Sequence, residues 1–178
     1  MTLHTELQVS QITEWTEWNS EDIHTLASLL ITVVEDGASL GFLPPLSEED
    51  SLSYWKGVLA PHVRLWVARH NGNIVGTVQL HLSTRQNGTH RAEIAKLMVH
   101  PQSRRMGIAR RLMAVAEQAA IQERRSLLVL DTRAGDPSNV LYRSLGFLEA
   151  GRIPQYARSA DGRLDDTVIY YKLLTVQP

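Results

Sequence analysis

The chain has 178 residues, and its 18 lysines and arginines nearly balance 19 aspartates and glutamates, for a formal net charge of −1. This balance provides no basic surface for nucleic acid or an anionic membrane, so the expected partner is a small molecule. The sequence has no cysteine, which excludes a disulfide framework, a thiolate zinc site and a cysteine nucleophile. Its length predicts a single domain over residues 1–178.

The first ten residues lack the basic start and apolar core of a signal peptide, and no apolar run is long enough to cross a bilayer. We therefore expect a cytoplasmic protein. The seven histidines show no zinc-helix spacing such as H-E-x-x-H, so no metal site is predicted.

The first third of the chain predicts one strand and two helices. A short strand is expected over 6–12. Ser20 can cap a helix that Gly37 ends, and its apolar residues recur at helical spacing: Ile23, Leu26, Ala27, Leu30 and Val34. Ser47 is predicted to cap a second helix near 52–59.

The middle of the chain predicts three strands and a long helix. Two β-rich runs, 65–68 and 74–82, are joined through Asn71-Gly72, a pair typical of a tight hairpin turn with positive φ angles. A third strand is expected over 92–99, and the pattern then changes to a helix over 107–122.

The last third predicts a buried strand over 127–130, a helix over 139–145 and two strands over 147–153 and 167–174. The resulting order, β-α-α-β-β-β-α-β-α-β-β, indicates an α/β (α+β) fold. Its mixed, mostly antiparallel sheet is flanked by helices, and the long helix connects one parallel pair of strands. Ligands tend to bind at the carboxyl ends of parallel strands, which predicts Val99 and Asp131 as the rims of a site.

Residues 102–109 combine two arginines, Arg104 and Arg105, with Gly107 at the start of the long helix. The unpaired N–H groups and the positive dipole end of a helix stabilise a pyrophosphate, and glycine lets the backbone approach it. The segment is neither a dinucleotide fingerprint nor a P-loop. Taken alone, it is more typical of a solvated, arginine-rich helix start.

Two longer motifs favour the anion-binding interpretation. Lys96-Leu97-Met98-Val99-His100-Pro101, followed by R-x-x-G-x-A at 104–109, resembles the acetyl-CoA-binding core of the GNAT superfamily of N-acetyltransferases. N-x-x-Y-x-x-L-G-F at 139–147 resembles its second conserved block. The resemblance covers most of the chain and implies the GNAT fold with acetyl-CoA as cosubstrate. Ala109 stands where the family more often has glycine.

The resemblance also implies how the cosubstrate binds. The pantetheine arm is expected along the backbone of Leu97, Met98 and Val99. The pyrophosphate is expected at Arg104, Arg105, Met106, Gly107, Ile108 and Ala109. Asn139 is implied to hydrogen-bond the pantetheine arm, and a helix cap is the alternative role for its side chain.

With no cysteine, and by the family resemblance, an amine is expected to attack the thioester directly in a ternary complex, without an acyl-enzyme. An alkylamine with a pKa of about 10 is mostly protonated at neutral pH, so a carboxylate or a water chain must remove a proton. Glu93 and Asp131 are the candidates, and desolvation at the end of an apolar strand would raise the basicity of Asp131. A structural hydrogen-bond acceptor is the alternative for each.

Tyr142 is the candidate acid that protonates the departing thiolate. The alternative for Tyr142 is a core tyrosine packed beside Leu145 at helical spacing.

Strings outside the cofactor core, at 37–42, 91–93, 130–132 and 161–164, resemble the tabtoxin-resistance acetyltransferases. They imply an amine acceptor on a small amino-acid-like molecule, such as a β-lactam toxin. A peptide acceptor and a non-catalytic acetyl-CoA sensor are the alternatives, and a homodimer stays open. G-x-S-x-G at 37–41 matches a hydrolase nucleophile elbow, but Ser39 follows a predicted helix instead of a strand.

Overall fold

The computed structural model describes residues 7–13 and 20–176. The elements in chain order are strand β1 (Leu7–Ile12), helices α1 (Ser20–Glu35) and α2 (Glu48–Lys56), strands β2 (Val63–His70), β3 (Asn73–Leu82) and β4 (Arg91–Val99), helix α3 (Ile108–Gln122), strand β5 (Leu127–Arg133), helix α4 (Ser138–Ser144), and strands β6 (Leu148–Arg158) and β7 (Leu164–Leu173). The predicted order is confirmed. Residues 1–6 lie outside the described residues. They include part of the segment that was compared with a signal peptide and the first residue of the first predicted strand.

The strands form one seven-stranded sheet in the order β1-β2-β3-β4-β5-β7-β6. The pairs are antiparallel except β4 and β5, which are parallel and connected through α3 as predicted. The hairpin between β2 and β3 turns at Asn71 and Gly72, whose φ angles are 53° and 81°. No helix in the described part of the chain is long and apolar enough to cross a membrane.

Helices α1 and α2 cover one face of the sheet. The apolar stripe of α1 is buried and wider than predicted, because Leu29 and Val33 also pack inward. Ser47 caps α2 and accepts a hydrogen bond from the Asp50 N–H at 3.0 Å. Because the first helical turn follows this cap directly, α2 begins at Glu48 and not near residue 52, and it ends at Lys56.

Helix α3 covers the opposite face and approaches β3 very closely at Gly76. A Cβ atom at this position would lie 3.0 Å from the Met98 carbonyl oxygen, 3.1 Å from Ile108 Cγ2 and 3.2 Å from Leu112 Cδ1. Glycine therefore sets the distance between α3 and the sheet.

Strands β4 and β5 pair only at their beginnings. Residues 91–93 pair with residues 127–129, after which β4 continues along β3 and β5 along β7. A bulge in β4, where Lys96 has a φ of 52°, adds to the separation because a bulge bends its strand. The result is an opening at the carboxyl ends of the two strands.

The structure corrects two strand boundaries. β5 continues to Arg133 because it keeps its pairing with β7, so Asp131 lies inside the strand and does not end it. β6 extends to Arg158, beyond the predicted 147–153. It is an edge strand with mostly exposed residues, and a strand that buries neither face carries little apolar pattern.

Replacing Gly76 by valine should lower the free energy of unfolding by about 1–3 kcal/mol, because the added methyl groups overpack the contact with α3. Chemical denaturation would measure the change. Gly151→Val in β6 is the matched control, since a Cβ atom there meets no atom within 4 Å. Equal losses in both variants would contradict the close-approach role of Gly76.

Candidate active site

The opening between β4 and β5 widens into a cavity of about 1030 Å³. Its walls come from the end of α1, the loop between α1 and α2, β4, the start of α3, β5 and α4. Val99 and Asp131 both line it, as predicted.

One end of the cavity is the start of α3. The first hydrogen bond of the helix joins the Arg111 N–H to the Gly107 carbonyl at 3.2 Å, so the N–H groups of residues 108–110 have no partner within the helix. Gly107 has a φ of 77°, and a Cβ atom there would meet nothing within 4 Å. Free donors at a helix start beside open space suit a phosphate group.

Two arginines flank this helix start in the cavity wall, Arg104 and Arg105. Arg104 Nη2 lies 2.6 Å from Asp36 Oδ2 in a partly exposed ion pair. Such pairs are worth about 1 kcal/mol or less, so an anionic ligand can compete for the guanidinium. Arg110, which the sequence analysis missed, also lines the cavity and donates to Ser144 Oγ at 2.7 Å.

The structure places most of the predicted cosubstrate-binding residues together in the cavity wall: Leu97, Met98, Val99, Arg104, Arg105, Gly107, Ile108 and Ala109. Met106 is not in the wall, and 48% of its surface is exposed. It follows Arg105, whose left-handed backbone (φ 64°) turns the chain just before the helix.

Asn139 also differs from the prediction. Its Nδ2 donates to the carbonyl oxygens of Arg133 and Asp136, both at 2.9 Å, and its Oδ1 accepts from the Tyr170 hydroxyl at 3.0 Å. The amide is buried and does not line the cavity. These bonds hold the beginning of α4 against β5 and β7, so Asn139 has a structural role in place of the expected contact with pantetheine.

Glu93 and Asp131 lie at the other end of the cavity. Their strand neighbours Ala92 and Leu130 belong to the core beneath α3, so the two carboxylates point to the face that carries α1 and α2. The Thr167 hydroxyl is 3.1 Å from Asp131 Oδ2 and orients this carboxylate. Partial burial, together with the negative charge of Asp131, raises the pKa of Glu93.

Tyr142 lines the cavity from the α3 side of the sheet. Its ring packs against Phe147 and Tyr170, each with a centroid distance of 6.0 Å. Burial and the charges of Asp131 and Asp136 raise its pKa, which keeps the phenol protonated at neutral pH. Tyr142 is thus packed in the core, as the structural alternative requires, and it also lines the cavity, as the role of a candidate acid requires.

Two further cations of the wall were not assigned roles from the sequence. Arg133 donates to Asp136 Oδ1 at 3.0 Å, Ser159 Oγ at 3.0 Å and the Gly37 carbonyl at 2.8 Å. Arg133 thereby ties β5 to the turn after β6 and to the loop after α1. The second cation is Lys96, on the bulge of β4. No local sequence signal marks these long-range roles, because Gly37, Ser159 and Leu40 are distant in the chain from the cations that they bind.

Ser39 lies in the loop after α1, with no strand before it, so the rejection of a nucleophile elbow is confirmed. The described residues hold no group of three or more histidine, aspartate or glutamate side chains placed to bind a metal ion.

The sequence profile of the acetyltransferase (GNAT) family matches residues 31–147 of the chain. The chain belongs to this family. An uncharacterised N-acetyltransferase from the hisH–hisA intergenic region of Azospirillum brasilense is 36% identical over 115 residues, 63% of this chain and 68% of the relative. The IAA acetyltransferase of the same organism is 31% identical over 118 residues, 66% and 74% of the two chains.

Solved GNAT structures share the fold. A Salmonella typhimurium protein described as a putative acetyltransferase, whose structure includes its cofactor acetyl-CoA, superimposes with a TM-score of 0.75 at 16% identity and 94% coverage of both chains. The GNAT profile spans Glu93, Asp131 and Tyr142. The protein is therefore a GNAT N-acetyltransferase, and acetyl transfer to an amine acceptor is the reaction of its family.

The structural role of Asn139 can be separated from a role in binding. Asn139→Ala leaves the Tyr170 hydroxyl and the Arg133 carbonyl without the side-chain amide, while the Asp136 carbonyl keeps its bond from the backbone N–H of residue 139. The substitution should lower the free energy of unfolding by about 1–3 kcal/mol. Acetyl-CoA affinity of the folded variant, measured by calorimetry, should change by less than about twofold, well below the effect of losing a ligand hydrogen bond.

Val140→Ala, at an exposed position of the same helix, is the control and should change neither quantity. A large loss of acetyl-CoA affinity in a stable Asn139→Ala protein would restore the original prediction.

Proposed function

We propose that the protein, as a single domain over residues 1–178, transfers acetyl from acetyl-CoA to the amine of a small amino-acid-like acceptor by direct attack in a ternary complex. The observation that carries this proposal is one cavity with two chemically different ends. Val99 and Glu93 are separated along β4 by about 20 Å, at roughly 3.3 Å per residue. Phosphate-binding groups lie at one end, and carboxylates lie at the other.

The helix start suits the pyrophosphate of acetyl-CoA, which supplies the acetyl thioester. Arg104 and Arg105 provide charge, and the free N–H groups of residues 108–110 provide hydrogen-bond donors. The backbone of residues 97–99 is proposed to hold the pantetheine arm, since the pairing of β4 with β5 ends at Glu93 and leaves backbone groups of these residues facing the gap. Met106 and Asn139 are omitted from this set because neither lines the cavity.

The carboxylate end of the cavity removes a proton from the ammonium group of the acceptor. An alkylammonium with a pKa of about 10 must lose its proton before it is nucleophilic, and a base works best when its own pKa lies near the operating pH. The raised pKa of Glu93 brings it closer to that range, and the oriented carboxylate of Asp131 assists. We assign Tyr142 Oη as the source of the proton that the leaving sulfur takes up, because the phenol lines the cavity and carries its proton at neutral pH.

The acceptor class is inferred from the residues that line the carboxylate end of the cavity. Three of the segments that resemble the tabtoxin-resistance acetyltransferases contribute to it, through residues 37–41, Glu93 and residues 131–132. We propose that these segments select a small molecule with amino-acid character, giving resistance where that molecule is a toxin. Thiol release from acetyl-CoA against amino acids, β-lactam amino acids, polyamines, aminoglycosides and short peptides tests the acceptor class. Turnover confined to peptides would contradict it.

The proton-transfer roles predict a selective loss of turnover. Tyr142→Phe and Asp131→Asn should each lower kcat by about 10²-fold or more, as expected for loss of general acid–base catalysis, while acetyl-CoA affinity stays within about twofold. Tyr156→Phe removes a hydroxyl from a more exposed tyrosine of the same wall and is the control. Unchanged kcat in both variants would rule out the assigned roles.

The role of Glu93 predicts the acidic limb of the pH profile. A general base must be deprotonated, so kcat/KM should fall as the pH drops through the raised pKa of Glu93. Glu93→Gln should remove this limb. Profiles with two acceptors of different amine pKa separate the groups, since a limb that shifts with the acceptor belongs to the amine. A limb that persists in Glu93→Gln would assign the base elsewhere.

A further inference from the structure

The bulge in β4 changes the direction of the Lys96 side chain. In a regular strand, residues 94, 96 and 98 would face the same side. Ile94, however, packs in the core beneath α3, and Met98 packs in the core beneath α1. The bulge therefore shifts the alternation of side chains between the two faces of the sheet, and Lys96 reaches the α1 side of the cavity. Lys96 has a φ of 52°, a left-handed backbone conformation that residues other than glycine seldom adopt.

The Lys96 ammonium is held by the acceptor side of the cavity. Nζ donates to the Leu40 carbonyl at 2.5 Å and lies 5.6 Å from the ring centroid of Phe42 and 5.8 Å from that of Tyr54. The side chain is half-buried. These contacts fix the position of a charge, and they leave N–H donors that no described side chain accepts.

The cavity wall also holds Arg133, but this cation has partners. Its guanidinium donates to Asp136, Ser159 and the Gly37 carbonyl. Among the described residues, no carboxylate oxygen lies within the 4.0 Å of an ion pair from Lys96. Desolvation lowers the pKa of Lys96, and the negative charges of Asp131 and Glu93, which are not bonded to it, oppose part of that effect.

We propose that Lys96 binds the carboxylate of the acceptor, so that the acceptor class is amino acids with a free carboxylate close to the reactive amine. This inference rests on the proposed function. The amine lies against Glu93 and Asp131, and the carboxylate accepts hydrogen bonds from Lys96 Nζ. An ammonium already taken from water forms a strong charge-assisted hydrogen bond. A dipolar molecule matches the separated charges of the wall, whereas a simple amine leaves Lys96 unpaired.

The test compares each common L-amino acid with its carboxamide, which keeps the amine and removes the negative charge. Rates are corrected for the fraction of free amine at the assay pH. The wild-type protein should prefer the carboxylate form of its best acceptor by about tenfold or more in kcat/KM, the effect expected for one charged hydrogen bond.

Lys96→Met should lower kcat/KM for the amino acid by a similar factor, of about tenfold, and for the carboxamide by less than about twofold. Lys96→Arg should retain part of the preference. Lys56→Met, at an exposed position of α2, is the matched control. Equal use of both acceptor forms by the wild-type protein, or an equal loss for both forms in Lys96→Met, would overturn the inference. The second result would make Lys96 a residue that only positions the loop.

Calorimetry separates this inference from the proposed function. Amino acid and carboxamide are titrated into the wild-type protein and the Lys96→Met variant in the presence of CoA. Tighter binding of the amino acid, lost in Lys96→Met, supports the inference even where no turnover occurs, and that lack of turnover would count against the proposed function alone. Turnover of amines with no carboxylate-dependent binding would leave the function standing and refute the role of Lys96.

Discussion

The active site depends on the brief pairing of β4 with β5. Three residue pairs join the strands, and each strand then follows its other neighbour. A fully paired sheet would separate Tyr142, which packs on the α3 side, from the two carboxylates on the α1 side. The gap connects both faces, so the carboxylates of Glu93 and Asp131 and the phenol of Tyr142 share one cavity although they come from opposite faces. The backbone groups left unpaired along the gap must find other partners, which a bound ligand can supply.

The same gap explains why the surrounding structure is so firmly cross-linked. With no ladder between the ends of β4 and β5, side chains hold the walls in place. Arg133 joins β5 to the loop after α1 and to the turn after β6, and Asn139 joins α4 to β5 and β7. Lys96 joins the bulge to the loop at Leu40. A site of this kind keeps its geometry because positioned side chains replace the missing strand pairing.

The sequence predicts those features that local chemistry determines. Asn71-Gly72 forms its turn, and Gly107 begins α3, because positive φ angles and helix starts require particular residues at particular places. The extension of β5 past Asp131 depends on β7, which pairs with it from more than 30 residues away. The bulge at Lys96 depends on the register with β3. Asn139 was assigned to a ligand because its motif does not reveal that Tyr170 occupies its amide oxygen.

Burial changes the pKa values of three ionisable groups that line the cavity. It raises the pKa values of Glu93 and Tyr142 and lowers that of Lys96, since each group loses water that stabilised its charged form. The nearby carboxylates oppose this effect at Lys96 and reinforce it at Tyr142. The Tyr142 phenol is neutral at physiological pH, and the carboxylates of Glu93 and Asp131 limit the lowering of the Lys96 pKa without reversing it. A wall with fixed positive and negative charges, partly shielded from water, stabilises a dipolar ligand more strongly than a singly charged one.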